Sequence, residues 1–249
     1  MSAGTLIVTG AGRGIGAAVA KLAGERGYRV VVNYATDENA ANDVVTHIVK
    51  HGGRAIPLRG DVGIESEVLR LFAVAERELG PVTALVNNAG ITGGFARVED
   101  VTSDMLARLL AVNVSGAFLC AREAVRRMST KHHGDGGAIV NISSLAARIG
   151  GGGEWVHYAA SKGAIDTMTV GLAREVAAEG IRVNAVAPGL IETELHAAAG
   201  DADRLKRLVG NVPMKRTGAA EEVAEAVLWL LSPAASYVTG TIIDVGGGR

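Results

Sequence analysis

The chain has almost no cysteine, little proline and no excess of charge. Its one cysteine, Cys120, excludes an intramolecular disulfide framework. It lies in the apolar run VSGAFLCA, where a buried packing role suits it better than a nucleophile or a ligand. With 25 Lys+Arg against 26 Asp+Glu, nothing in the charge calls for a nucleic-acid or polyanion partner. No apolar stretch approaches the length of a membrane span, and residues 1–10, MSAGTLIVTG, lack the charged start of a secretory signal; the expectation is a soluble, cytoplasmic protein. No linker, charge block, low-complexity tract or fixed-period repeat divides the 249 residues, which predicts one domain over 1–249. Glycine is the abundant residue, 34 against five prolines, so the glycines serve tight turns inside a fold rather than a disordered linker.

Short β-branched runs alternate with longer helical patterns from end to end. The strand candidates are TLIVTG, YRVVVNY, RAIPLRG, TALVNNAG, GGAIVNISS, IRVNAVAPG and GTIIDVGGG; helices are expected at about 14–26, 37–51, 64–79, 102–130, 157–179 and 220–231. Six of the strands are nearly continuous apolar runs, as parallel strands covered on both faces must be. The class is therefore α/β, a doubly wound parallel sheet of about seven strands with helices on both faces. Residues 190–218 fall outside the rhythm, either as an excursion over the carboxyl edge of the sheet or as a plain surface insertion.

The first strand runs directly into TGAGRGIG, residues 9–16, and a helix follows. Glycines there let the backbone approach a pyrophosphate, and a helix N-terminus offers free N–H groups and a favourable dipole. The spacing of Gly10, Gly14 and Gly16 is not the strict dinucleotide fingerprint, and a simple strand–helix turn is the alternative. A site selective for NAD places an acid at the end of the second strand; this chain has Asn33 and Tyr34. Arg13 stands where a cation could meet a 2′-phosphate, or it is a solvated loop charge. The reading favours NADP(H), with NAD(H) possible because Asp37 and Glu38 are near.

In WVHYAASKGAID, Tyr158 precedes Lys162 by four residues, one helical turn on the same face. The phenol's reference pKa is about 10, and a nearby cation lowers it by about 1–3 units. The pair is either packing or proton-transfer chemistry. A Ser/His hydrolase is disfavoured, because no G-x-S-x-G elbow is present and Ser144 is followed by LAARIGG. His157 reads as a packing or rim residue, and His132 and His133 lie in a polar loop better suited to the surface than to metal; no metal ligand is predicted.

Together TGAGRGIG (9–16), GDV (60–62), NNAG (87–90), VNVSG (112–116), NISS (141–144), YAASK (158–162) and VAPG (186–189) stand in the order of the short-chain dehydrogenase/reductase family, which the chain resembles over its whole length. Within the family it looks most like bacterial glucose 1-dehydrogenase-like and 3-oxoacyl-carrier-protein-reductase-like members. The resemblance implies a Rossmann-like fold and a role for each matched residue. Gly10, Gly14, Ile15 and Gly16 would shape the pyrophosphate loop. Asp61, with Val62, would meet the adenine, unless Asp61 caps the helix of IESEVL. Asn88, Ala89 and Gly90 would line the adenine ribose side, or form a structural turn. Pro188, Gly189, Ile191 and Thr193 would flank the nicotinamide, where a Pro-Gly turn is the plain alternative.

Four residues would carry the chemistry. Tyr158 would exchange a proton with the substrate oxygen, and Ser144 would hold that oxygen. Lys162 would lower the tyrosine pKa and bond the nicotinamide ribose, and Asn113 would hold a water joining Lys162 to solvent. Between Ser144 and Tyr158 the chain is one residue longer than the family pattern, within IGGGGE, which leaves Ser143 as an alternative. The implied activity is carbonyl–alcohol interconversion on a small ketone, aldehyde or sugar; a 3-oxoacyl-carrier-protein reductase and a non-catalytic nucleotide-binding regulator are the alternatives. For the carrier reading, Arg126, Arg127 and Lys131 could meet an acidic carrier, whereas Glu179 stands where carrier-dependent relatives tend to have a cation. The family also implies a homo-oligomer, commonly a tetramer, built on the helices at 102–130 and 157–179 and the C-terminal YVTGTIIDVGGGR.

Overall fold

The computed structural model describes residues 4–193, 201 and 203–249. Seven strands, β1 (Thr5–Val8), β2 (Arg29–Tyr34), β3 (Arg54–Arg59), β4 (Val82–Asn87), β5 (Gly137–Ile142), β6 (Ile181–Pro188) and β7 (Ile242–Val245), form one parallel sheet in the order β3-β2-β1-β4-β5-β6-β7. All seven expected strands are present. β1 stops at Val8, which leaves Thr9 and Gly10 outside the ladder and available to the following loop.

Alternate residues of each strand feed two cores. Leu6, Val8, Val30 and Val32 pack against α1 (Gly14–Glu25), α2 (Glu38–Lys50) and the last helix (Ala220–Leu231). Ile7, Val31, Leu85 and Ile139 face α3 (Glu65–Leu79), α5 (Gly116–Met128) and α7 (Val156–Val176). Burial on both faces is the reason the strands read as unbroken apolar runs. Pro57 lies inside β3 and is tolerated because β3 pairs with β2 alone, at the edge of the sheet.

The helix expected at 102–130 is divided. Thr102 caps α4 (Ser103–Leu110) by accepting from the Met105 N–H at 3.2 Å, a π-helical turn spans Ala111–Ser115, and α5 follows. By length and composition alone Ser103–Met128 would be long and apolar enough to cross a membrane. In the fold this run instead covers the sheet, burying Leu109, Cys120, Ala121, Ala124 and Met128. Cys120 is fully buried, and burial pushes its thiol up to about 12, the state of a packing residue.

Part of the excursion at 190–218, residues 194–200 and 202, lies outside the described residues. The remainder contains a parallel bridge between Ile191 and Gly218 and the short helix α8 (Arg204–Leu208), which precedes α9 (Ala220–Leu231); earlier in the chain a short α6 (Ala146–Ile149) packs beside α7.

Candidate active site

The two halves of the sheet diverge between β1 and β4, and at their carboxyl ends a cleft of about 440 Å³ opens. Its floor on one side is the glycine loop. Gly10 and Gly14 adopt left-handed φ of 62° and 54°, which a side chain would strain. A Cβ on Gly16 would stand 2.4 Å from Asn88 Nδ2 and 2.5 Å from the Gly10 carbonyl, so only glycine lets α1 start this close to the loop. Arg13, at the N-cap of α1, is extended and makes no side-chain cap, leaving the first N–H groups of the helix open.

Side-chain amides fasten this loop. Asn88 Nδ2 donates to the Thr9 and Gly10 carbonyls at 2.9 and 3.0 Å, and Thr9 Oγ1 accepts from the Asn88 and Ala89 N–H groups, both at 3.0 Å. Asn33 Oδ1 accepts from the Gly10 N–H at 3.2 Å, while its Nδ2 donates to the carbonyls of Leu58 and Gly60 at 3.2 and 3.0 Å. Asn33 and Asn88 therefore line the cleft as braces whose amides are already engaged. A glycine cradle held under an uncapped helix start fits the pyrophosphate of a dinucleotide.

Further along this wall, Asp61 Oδ1 accepts from the Gly63 N–H at 2.9 Å, and Oδ2 pairs with Arg108 at 2.7 Å. The N-cap of α3 is Ile64, so the alternative of Asp61 as its cap is not the arrangement adopted. Asp37 caps α2 through the Ala40 N–H at 3.0 Å. Arg13 is exposed, without an ion pair among the described residues. Tyr34, Val62, Ile15, Ala89, Gly90, Pro188, Gly189, Ile191 and Thr193 also face the cleft. Of the residues singled out in the sequence, Gly16 and Asn113 are not on its wall.

Tyr158 and Lys162 rise from the first turns of α7 and meet Ser144, which follows β5. Both are buried, and Lys162 Nζ lies 5.8 Å from the Tyr158 ring centre while donating to the Ile142 carbonyl at 2.7 Å. Ser144 is partly exposed in the cleft and hydrogen-bonded to Tyr158. Ser143 is buried, and its hydroxyl donates to Asp166. The two serines thus diverge: one faces the phenol and the other is held behind it.

The tyrosine pKa moves opposite to the sequence expectation. Burial pushes Tyr158 up to about 12, outweighing the Ser144 hydrogen bond and the Arg204 cation. Burial likewise lowers Lys162 to about 8, against the pull of Asp166. Desolvation of the phenolate exceeds what the Ser144 hydrogen bond and the Arg204 charge together offset. The group presented to the cleft at neutral pH is a neutral phenol, a proton donor.

Asn113 is bound on every polar side-chain atom. Its Oδ1 accepts from the Ile91 N–H at 2.8 Å, and its Nδ2 donates to the Ile91 carbonyl at 2.8 Å and to Ser161 Oγ at 3.0 Å. It sits in the π-helical turn, tying the helix to the chain after β4.

On the other side of the phenol, Gly150, Gly151 and Gly153 all take left-handed φ, and the loop ends at Trp155. Trp155 stacks on Phe95 (4.9 Å between centres, 4° between planes) and meets Tyr158 edge-on at 5.5 Å. The Arg204 guanidinium lies 4.2 Å from the Trp155 ring centre and pairs with Glu154 at 2.7 Å. Sequence reasoning missed Trp155, Arg204, Asp166, Thr9 and Arg108. Asp166 alone had a local signal, one further turn along the face of Tyr158 and Lys162. His157 is buried against Gly93, away from the cleft wall, and among the described residues neither ring nitrogen is hydrogen-bonded, in keeping with packing. Among the described residues no cluster of His, Cys, Asp and Glu could hold a metal ion.

The cations considered for an acidic carrier are already paired. Arg126 and Arg127 bind Glu123, Arg127 also binds Glu76, and Lys131 binds Glu179, itself buried. They cluster at the end of α5, and helices of a parallel α/β sheet run back from its carboxyl edge, so this group lies away from the cleft.

The short-chain family model described as Enoyl-(Acyl carrier protein) reductase matches residues 10–249. The chain belongs to the short-chain dehydrogenase/reductase family. It is an oxidoreductase of that family. The uncharacterized oxidoreductase YgfF of Escherichia coli K12 is 53% identical over 243 residues, 98% of each chain. Glucose 1-dehydrogenase 2 of Bacillus subtilis is 38% identical, covering 98% of this chain and 93% of its own. Among solved structures, a blue fluorescent protein from a metagenomic library in complex with NADPH superposes with a TM-score of 0.91 at 35% identity, over 99% of this chain and 98% of that one. The short-chain fold thus accounts for the sheet order and for the position of the cleft.

Proposed function

We propose that the protein is an NADP(H)-preferring oxidoreductase that interconverts a carbonyl and a secondary alcohol on a small ketone, aldehyde or sugar. The observation that carries this reading is the Tyr158 phenol, hydrogen-bonded to Ser144 with Lys162 one turn away, in the same cleft as the glycine loop. The dinucleotide would supply or accept the hydride. Gly10, Gly14 and Ile15 with the start of α1 would hold its pyrophosphate, and Asp61, Val62, Ala89 and Gly90 its adenosine side. Pro188, Gly189, Ile191 and Thr193 would wall its far end.

In reduction, Tyr158 Oη donates its proton to the substrate oxygen while Ser144 holds that oxygen and stabilises its developing charge. Lys162, a cation buried one turn away, favours the phenolate left behind. Asn113 keeps the helix of Lys162 fastened to Ile91; because its amide is engaged, a water held at this residue would sit on its main-chain carbonyl. NADP(H) is favoured by Arg13, exposed without an ion pair among the described residues, and by Asn33 and Tyr34 standing at the end of β2 where an acid would select NAD, while Asp37 caps α2.

A carrier-bound substrate is disfavoured because Arg126, Arg127 and Lys131 are neutralised within the chain. Self-association into a tetramer is favoured by exposed apolar side chains on α4 and α5 (Leu106, Leu110, Phe118) and near the C-terminus (Trp229, Tyr237); sedimentation as a monomer at micromolar concentration would contradict it. The deciding experiment follows reduced-nicotinamide absorbance with both cofactors over a panel of ketones, aldehydes and sugars. Oxidation of NADPH with at least one carbonyl is expected; binding of NADPH with no turnover on any of them would overturn the reading in favour of a non-catalytic nucleotide binder.

A further inference from the structure

Beyond the phenol the cleft is walled mostly by apolar side chains, and Arg204 is a buried charge among them. Its side chain is 10% exposed, and it faces the same space as Tyr158, Ser144, Leu145 and Leu190. A buried guanidinium is tolerated when its charge is compensated. Here Glu154 compensates it: Arg204 Nε and Nη2 both donate to Glu154 Oε2, at 3.2 and 2.7 Å. Nη1 makes no hydrogen bond among the described residues. The ring of Trp155, flanked by Phe95, fixes the guanidinium plane at 4.2 Å, one indole away from the phenol.

Such a group offers N–H donors with no net charge. It suits a neutral acceptor in the substrate better than a full anion, because a carboxylate brought to the same edge would also meet Glu154. We propose that Arg204 is a specificity-determining residue that binds a second oxygen of the substrate, so that the preferred substrates are neutral dicarbonyl compounds carrying an acceptor beside the carbonyl that reacts at Tyr158. This rests on the oxidoreductase reading above, which concerns the reacting carbonyl; Arg204 concerns the group next to it.

The competing account makes Arg204 a latch that fastens α8 to the glycine-rich loop through Glu154. The two accounts part on charge. If Arg204 recognises an acceptor, Arg204→Met removes the preference for the dicarbonyl, whereas Glu154→Gln frees a net positive charge and turns the preference toward an anionic 2-oxo acid. If Arg204 is only a latch, both substitutions weaken every substrate alike.

The test measures the affinity of phenylpropanedione, propiophenone and phenylglyoxylate for the protein loaded with oxidised dinucleotide, by titration calorimetry, and separately their NADPH-dependent turnover. The unsubstituted protein is expected to bind the dione roughly tenfold more tightly than the monoketone, as one charge-assisted hydrogen bond allows. Arg204→Met should bring the two within about twofold, and Glu154→Gln should strengthen phenylglyoxylate relative to the dione by about tenfold. An unchanged dione preference in Arg204→Met, or parallel losses in both variants, would overturn the proposal. Should Arg204→Met not fold, Glu154→Gln decides alone by the direction of its shift. Absence of turnover would count against the oxidoreductase reading, while the binding ratios judge Arg204 without any reaction.

Discussion

The cleft has two sides built on different principles. On the side proposed for the dinucleotide the groups left open are main-chain N–H groups at the start of α1, and Thr9, Asn33 and Asn88 brace the loop that leads into it. On the side proposed for the substrate the walls are large side chains, Trp155, Leu145, Leu190 and Arg204, carried by the segments after β5 and β6 and by the short α8. The first side admits little substitution because each brace answers to a particular backbone atom. The second can change its residues, and with them its ligand, without disturbing the sheet. A common group can therefore be held by a fixed frame while the specific group is read by replaceable walls.

The largest effect is expected where the two sides meet. Tyr158→Phe removes the proton donor and should lower turnover by roughly 10²–10⁴-fold, with NADPH affinity by calorimetry nearly unchanged; near-normal turnover would sink the assignment. Next is Gly16→Ala on the dinucleotide side, whose Cβ has no room beside Asn88 and Gly10. Dinucleotide affinity should fall roughly tenfold or more, in keeping with the ~1–3 kcal/mol of overpacking. An unaltered dissociation constant would show that the loop is not the pinned frame described.

A third measurement is pH-dependent. Lys162 is lowered from 10.5 to about 8, so the native state holds fewer protons than the unfolded chain between those values. The burial penalty is fully present below about 8 and is relieved as the pH rises through that window, so stability should increase with pH there. Tyr158, raised from 10.0 to about 12, acts oppositely, but above the lower of these values. Denaturant midpoints between pH 8 and 10 should therefore climb in the native protein and climb less in Lys162→Met; equal slopes would contradict the buried charge.

Arg13→Ala should narrow the NADPH-over-NADH preference by roughly tenfold, the scale of a lost charge-assisted contact, read from the two KM values. The smallest effect is expected at Gly152, which has open space around it and no left-handed φ. Gly152→Ala should leave dinucleotide affinity unaltered and shift substrate KM by no more than about twofold. A large effect there would erase the contrast with Gly16.

Most of the frame was legible in the sequence because it is repetitive physics: seven strand candidates, six of them apolar runs, helices between them, glycines after the first strand. Tyr158 and Lys162 were legible through their one-turn spacing. The direction of the tyrosine's shift was not, since spacing reports a neighbouring cation but not desolvation, and burial proved larger. The division of the helix at 102–130 was hidden for a related reason: the π-helical turn accompanies a clasp between Asn113 and Ile91, 22 residues apart, which no local pattern records. The alternative of Asp61 as a helix cap was open by position, yet the N-cap of α3 is Ile64 and the carboxylate serves Gly63 and Arg108. Arg204 lay in a segment without periodicity, where a cation reads as solvated until Trp155 and Glu154 are found around it.

Pro57 has a consequence for how copies of the chain could meet. An open parallel sheet ends in two unpaired ladders, each a template for a strand from another molecule. At the β3 end that template is interrupted by an imino acid and flanked by two exposed cations, Arg54 and Arg59. A strand arriving there would find a missing donor and like charges. The β7 end carries only Ile242–Val245, partly covered, with neither obstacle. The two ends of the sheet thus differ in how readily each would accept a strand from another molecule, the β3 end being the more guarded.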